Sequence, residues 1–329
     1  MNLEAGLERW LTDQWGQATR VENLSVSSAG ARRVNALFDA VAEHRREALA
    51  ATMMPTPEIQ LLDVESEAAV RLLAEEHGVP VPHVHGVCTD TSLTGGPFFV
   101  SSRIDGETIP RRVLRLIDEH ATGQLVGRQL GHALGQLHSI DAIKAPPALA
   151  RPPGDRPVAL ALSTVRASVA GLLQPEPAFS FGLRWLELNQ PAEPHRCVIV
   201  HGDARNGNLI VGPDGLRAIL DWEGAHVGDP MEDVAWPCTR MWRFGVDHLT
   251  VGGFASVPDL RRGYEDTGAP WDEARFRWWR VLGTLRWGTG LAGQAAAHLD
   301  GRFRSIVMAG SGRRVSELAF DLLQLVRPS

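Results

Sequence analysis

The stretch His201-Gly202-Asp203-Ala204-Arg205-Asn206-Gly207-Asn208 sets a carboxylate two residues after a histidine and an asparagine five residues after that carboxylate. Asp221 follows thirteen residues later. Phosphoryl transfer asks little more of a protein. It needs a carboxylate to orient the attacking hydroxyl and take its proton, and ligands that hold Mg2+ on the nucleotide phosphates. His201, Asp203 and Asn208 have the spacing of such a loop, and Asp221 stands where a second metal-binding acid would follow across a hairpin. Oxygen ligands of this kind suit Mg2+, a hard cation held by one or two carboxylates together with substrate phosphates. A His-x-Asp triplet is common by itself; its combination with the asparagine, the hairpin and the terminal aspartate is specific.

The neighbouring elements must hold these groups. Val198-Ile199-Val200 is a short β-branched strand leading into the loop. Leu209-Ile210-Val211, the turn Gly212-Pro213-Asp214-Gly215 and Ala218-Ile219-Leu220 form a hairpin that ends at Asp221. Gly228-Asp229-Pro230-Met231-Glu232 reads as a helix start, with Asp229 as N-cap, Pro230 at the first position and Glu232 at the third. Asp229 is therefore structural, and His201 a scaffold residue of the loop. Upstream, residues 1–100 mix strands and helices. In the helical stretch Glu65 to Glu75, Ala68, Ala69, Leu72 and Leu73 share a face. From about residue 105 helices dominate, as in Leu130, Ala133, Leu134 and Leu137, and the Pro- and Ala-rich residues 142–157 read as a connector.

Composition excludes several classes. The 329 residues are 44% hydrophobic and 22% charged, with net charge −6, so no basic face for nucleic acid is expected. No run of 18 apolar residues suggests a membrane span, and Met1-Asn2-Leu3-Glu4 lacks a basic, apolar leader, so the expected location is the cytoplasm. Cys88, Cys197 and Cys238 lie too far apart for a disulfide scaffold or a cysteine-based zinc motif. Of the 33 basic Lys and Arg residues only Lys144 is a lysine. A mechanism that needs a cation must use Lys144 or an arginine. There is no G-x-S-x-G, no Rossmann glycine fingerprint and no Walker lysine.

The segments His201 to Asn208 and Leu220 to Pro230 together resemble the aminoglycoside phosphotransferase family. They are most similar to the branch that includes the kinase-like domains of certain acyl-CoA dehydrogenase-associated proteins. The likeness extends to Gly96-Pro97-Phe98-Phe99-Val100, Asp105 to Pro110, Leu137 to Asp141 and Gly283 to Trp287. It implies an α+β, protein-kinase-like two-lobe fold: a small N-lobe (1–103) with an antiparallel sheet, and a larger, mostly helical C-lobe (104–329). It also implies an enzyme that transfers the γ-phosphate of ATP or GTP, with Mg2+, to a hydroxyl of a small-molecule alcohol. By the same resemblance Asp203 is the catalytic base, Arg205 meets the γ-phosphate, and Asn208 and Asp221 hold the metal. The hinge falls at Ser101 to Ile104, where the backbone of Ser102 and Ile104 would meet adenine.

The N-lobe departs from that pattern. A nucleotide loop favours glycines that let backbone N–H groups approach phosphate. Ser27 to Arg33 contains one, leaving Ser28 and Gly30 as the cofactor-binding candidates. The strand after it should carry a lysine or arginine paired with a helix glutamate, for which Glu67 is the candidate. The position falls within Leu49 to Thr52, most simply at Ala51, where there is no cation. Arg32, Arg33 or Arg46 could reach in instead. Two functions follow: an active kinase in which an arginine replaces the lysine, or a catalytically weak kinase-like regulator that binds a nucleotide or metabolite. For a polycationic acceptor, acids are available at Asp233, Glu265, Asp266, Asp272 and Glu273. The C-terminal helices are instead rich in tryptophan (Trp271, Trp278, Trp279, Trp287), which points to a less polar alcohol such as a hydroxyacyl compound.

Overall fold

The computed structural model describes residues 2–27, 33–55, 61–302 and 304–327. The chain begins with helix α1 (Leu3–Trp15), which starts where the Asn2 side chain accepts the Glu4 N–H and stops at Gly16 in the left-handed region. Strands β1 (Arg20–Ser27), β2 (Val34–Ala42) and β3 (Arg45–Met53) follow, then α2 (Val64–Glu76), β4 (Val84–Cys88), the single turn α3 (Thr91–Thr94) and β5 (Phe98–Ser102). These make one five-stranded sheet in the order β1-β2-β3-β5-β4, antiparallel throughout.

Alternation along the strands gives the sheet two distinct faces. Ala36, Phe38, Ala40, Leu49, Ala51, Met53, Phe98 and Val100 pack under Leu7, Trp10 and Leu11 of α1. On the other side Phe99 and Val84 pack with Met54 and with Val64 and Ala68 of α2. Ala51 thus lies on the α1 face, where a cation would be buried among hydrocarbon. Ala51, where a phosphate-gripping cation was expected, therefore does not face the side where Ala50 and Thr52 lie.

Helix α2 is also rotated from its apolar reading. Its buried residues are Val64, Glu67, Ala68, Val70, Arg71 and Ala74, whereas Ala69 faces solvent. Two charged side chains are turned inward because each finds a partner there. Glu67 pairs with Arg33, and Arg71 donates to the Pro82 carbonyl while lying over the Phe99 ring.

The second part of the chain continues with α4 (Pro110–Glu119), α5 (Gly123–Ser139), α6 (Pro157–Ala170) and α7 (Pro177–Leu188). Then come β6 (Val198–Val200), β7 (Leu209–Gly212), β8 (Gly215–Ile219) and β9 (His226–Gly228). Helices α8 (Pro230–Ala235), α9 (Val257–Glu265), α10 (Glu273–Leu299), α11 (Ile306–Ser311) and α12 (Val315–Val326) complete it. β7 and β8 form the expected hairpin, and β6 pairs with β9. Helix α5 crosses α9 so closely that a methyl group on Gly131 would strike the Leu260 carbonyl. The tryptophans of α10 are largely core: Trp278 and Trp279 are buried, and the Trp278 indole donates to the Leu186 carbonyl. No helix among the described residues is long and apolar enough to cross a membrane.

Candidate active site

The loop between β6 and β7 is built from below. Asp233 of α8 is fully buried and accepts the backbone N–H groups of His201 (2.6 Å) and Gly202 (2.8 Å). Burial works to raise the Asp233 pKa, but the hydrogen bond from His138 and these N–H groups hold it below its ordinary value. His138, itself tied to the Tyr264 hydroxyl at 2.9 Å, lies 3.2 Å from Asp233. The His201 ring accepts the Asp203 N–H at Nδ1 (3.1 Å), so its proton sits on Nε2, facing the Leu220 carbonyl at 3.1 Å. His201 is scaffold, as its position suggested. Gly202 adopts a φ of 80° and packs so tightly against the Gly224 carbonyl that no side chain fits.

On this support Asp203 presents its carboxylate. Oδ1 accepts from Arg205 Nε (3.1 Å) and from the Trp236 indole N–H (2.6 Å). Oδ2 accepts from Asn208 Nδ2 (2.6 Å), which also bonds the Asp203 carbonyl (2.9 Å). The Arg205 guanidinium lies 4.2 Å from the centre of the Trp242 ring. Trp236 is the contact that sequence reasoning missed; its place just after the α8 motif carries no signal of its own.

Asp221, at the end of the β7–β8 hairpin, has a φ of 62°, a conformation that is costly for a non-glycine residue and concentrated at functional sites. Its carboxylate is 37% exposed and faces Arg33 at 3.4 Å. The same guanidinium meets Glu67 at 2.7 Å and Glu223 at 3.2 Å. Burial works to lower the Arg33 pKa, and the surrounding carboxylates, Glu67 foremost, raise it overall. Of the three arginines considered for this role, Arg33 is the one seen at Glu67. Arg46 is engaged with Glu22 and Asp39, and Arg32 lies outside the described residues.

Because Asn208 uses its Nδ2 on Asp203, its side-chain oxygen is the atom suited to a hard cation, and Asp221 supplies the carboxylate. Among the described residues no group of three or more His, Cys, Asp or Glu is placed to hold a metal. The remaining nucleotide candidates are less concentrated. Ser28 and Gly30 lie outside the described residues. The Ser102 N–H is donated to the His83 carbonyl and that of Arg103 to Ala48. Of Ser102 and Ile104, only Ile104 has an N–H not taken by these two strand bonds.

Beside the loop, a cavity of about 170 Å³ opens between α6 and α10. Pro157, Leu160, Ala161, Val165, Trp279 and Leu282 form its apolar walls. His226, Glu232 and Arg286 form its polar end, joined by contacts of 3.4 Å (His226 to Glu232) and 2.6 Å (Arg286 to Glu232). Burial would raise the Glu232 pKa, yet Arg286 and His226 bring it down to about 2. Arg286 also lies over the ring of Trp236 at 4.9 Å, and the Trp236 indole N–H is the one that meets the Asp203 carboxylate. The acids suggested for a polycationic acceptor are not in this cavity. Asp233 is buried beneath the loop, Glu265 pairs with Arg261, and Asp272 caps α10.

With this arrangement in view, a family model for the APH phosphotransferase enzyme family matches residues 20–280. The chain belongs to the APH phosphotransferase family. Among curated relatives it is 29% identical over 281 residues to mouse acyl-CoA dehydrogenase family member 10, covering 78% of this chain and 25% of that protein. It is 28% identical over 241 residues to the Arabidopsis thaliana probable acyl-CoA dehydrogenase IBR3, covering 66% of this chain and 29% of that protein. The chain therefore spans about a quarter of the length of these relatives. Two solved phosphotransferases share the fold across 98% of this chain. One is a putative aminoglycoside phosphotransferase from Ralstonia eutropha, with TM-score 0.70, 21% identity and 97% of that chain covered. The other, aminoglycoside phosphotransferase APH(4)-Ia bound to AMP-PNP and hygromycin B, gives TM-score 0.64, 14% identity and 99% covered. The α+β, kinase-like two-lobe fold is thereby established for this chain.

Proposed function

We propose that this phosphotransferase is a cytoplasmic ATP-dependent kinase acting on the hydroxyl of a small, largely apolar alcohol such as a hydroxyacyl compound. Nucleotide would lie between residues 1–103 and residues 104–329. The observation that carries the reading is the Asp203 carboxylate, oriented by Asn208, Arg205 and Trp236 within one loop. Two donors occupy Oδ1 and one occupies Oδ2, so Oδ2 retains an acceptor position for the substrate hydroxyl. In the reaction Asp203 takes the hydroxyl proton as the alcohol oxygen bonds to the γ-phosphorus, and ADP leaves. Arg205, held beside Asp203, faces the charge of the transferred phosphoryl group. Asn208 and Asp221 would hold magnesium, which when bound neutralises charge on the phosphates. Ile104 would meet adenine through its N–H, and Ser102 through its carbonyl.

The acceptor class is supported by the cavity between α6 and α10. Its one carboxylate, Glu232, is already neutralised by Arg286, so it offers nothing to a polycation, whereas its walls suit a short hydrocarbon arm. The regulator alternative rested on a missing N-lobe cation, and the presence of Arg33 at Glu67 weighs against it. The test is calorimetric titration with MgATP and MgGTP of the wild type and of Asp221→Ala, followed by a screen of alcohol acceptors with Asp203→Asn as control. Magnesium-dependent binding lost in Asp221→Ala, and phosphoryl transfer lowered roughly 10²- to 10⁴-fold in Asp203→Asn, are the expected results. Absence of binding by the wild type at millimolar nucleotide overturns the reading. Stabilisation of the protein by aminoglycosides but not by hydroxyacyl compounds overturns the acceptor class.

A further inference from the structure

We infer that Arg33, at the entrance to β2, is the residue that grips the nucleotide phosphates, in place of a cation on β3. This rests on the nucleotide reading above. The sheet register decides which side chains are eligible. Asn35 pairs with Thr52, and the Thr52 hydroxyl donates to the Asn35 side chain at 2.9 Å, so these two share the face opposite Ala36 and Ala51. By alternation Arg33, two residues before Asn35, projects on that same face. A cation leaving the sheet there arrives close to the place a β3 side chain at Thr52 would serve, two residues along the ladder.

The contacts agree with that placement. The guanidinium Nη2 is anchored on Glu67, a carboxylate only 1% exposed, at 2.7 Å. Nη1 reaches Asp221 at 3.4 Å, the acid that with Asn208 would hold the metal. One arginine therefore spans from the helix glutamate to the phosphate-binding edge of the cleft. Its 11% exposed side chain is confined, and a guanidinium pre-set in this way suits phosphate oxygens. The other cations nearby are committed elsewhere. Arg71 is buried on the Pro82 carbonyl, Arg46 and Arg103 meet at Asp39, and Lys144 is exposed in a short turn after α5.

The experiment is calorimetry with MgATP and MgGTP on the wild type, Arg33→Ala, Arg32→Ala and the double variant Arg33→Ala/Thr52→Lys, with melting of each unliganded protein as a check on folding. Arg33→Ala is expected to weaken nucleotide binding roughly 10- to 100-fold, as loss of a charged phosphate contact does. Arg32→Ala should bind as the wild type, and lysine at position 52 should recover part of the loss. Should Arg33→Ala fail to fold because Glu67 is left buried without its partner, Arg33→Met/Glu67→Gln removes both charges and is compared with Glu67→Gln alone. Weaker binding in the double variant than in Glu67→Gln then supports the role. Undiminished binding without Arg33, or loss in Arg32→Ala instead, overturns it while leaving the kinase reading intact. Absence of binding by the wild type itself overturns both.

Discussion

Trp236 gives Asp203 a donor that no loop residue supplies. Its indole N–H lies 2.6 Å from Oδ1, and its ring is wedged among Trp242, Trp287 and the Arg286 guanidinium. A hydrogen bond to a charged group contributes about 1.5–3 kcal/mol, and here it also fixes which way the carboxylate faces. Trp236→Phe keeps the ring and removes the donor. Steady-state kinetics should show kcat reduced roughly 10- to 100-fold with the dissociation constant of MgATP unchanged. An equal rise in that dissociation constant would mean the tryptophan acts on the nucleotide site and not on the base. The closeness of Asp203 and Asn208 was legible from spacing because both lie in the eight-residue stretch 201–208, and Asp221 follows at the end of the hairpin. Trp236 was not, because its contact depends on how α8 is aimed.

At the level of the element, α8 does the most with the fewest residues. Asp229 caps it through the Met231 N–H, Glu232 meets Arg286, Asp233 holds the loop of residues 201–208, and Trp236 follows at its end. Asp233→Asn leaves a single side-chain oxygen for two backbone N–H groups and removes the charge facing His138. Urea unfolding should show a loss of about 3 kcal/mol or more. Asp229 shows the opposite cost. Burial pushes its pKa up to about 6, against the pull of Trp279, the Met231 N–H and Arg275. The folded chain then keeps a proton that the unfolded chain releases, so this group's contribution to stability falls as pH rises from the ordinary carboxylate range to about 6. Asp229→Asn preserves the cap and removes the ionisation. Relative to the wild type it should gain on the order of 3 kcal/mol between pH 4 and pH 7.5, read from urea midpoints. A pH-independent difference would show that Arg275 neutralises the carboxylate fully.

For the whole molecule, Arg33 ties the sheet to α2 through Glu67 and to the hairpin end through Asp221 and Glu223. The cavity proposed for the acceptor is likewise made between elements far apart in sequence, α6 on one side and α10 on the other. Ala161→Trp, which adds a ring to its apolar wall, should raise the KM of the acceptor by tenfold or more and leave MgATP binding unchanged, since none of the residues proposed to meet nucleotide lines the cavity. An unchanged acceptor KM would place the substrate elsewhere. Loss of nucleotide binding as well would show that the two sites are packed against each other.

Sequence alone was enough for the loop from His201 to Asn208 as a structural unit, for the hairpin that ends at Asp221 and for the cap of α8, because each is set by short-range spacing and turn chemistry. Through those motifs it also determined the family. It misplaced the inward face of α2 and did not show that Ala51 turns toward α1. Apolar periodicity cannot report that Glu67 and Arg71 are buried with partners, nor which face of β3 turns toward α1. Those choices were left to tertiary structure. A buried charge needs a partner waiting inside, and Arg33 and Glu67, 34 residues apart, meet only when the sheet and α2 have packed together.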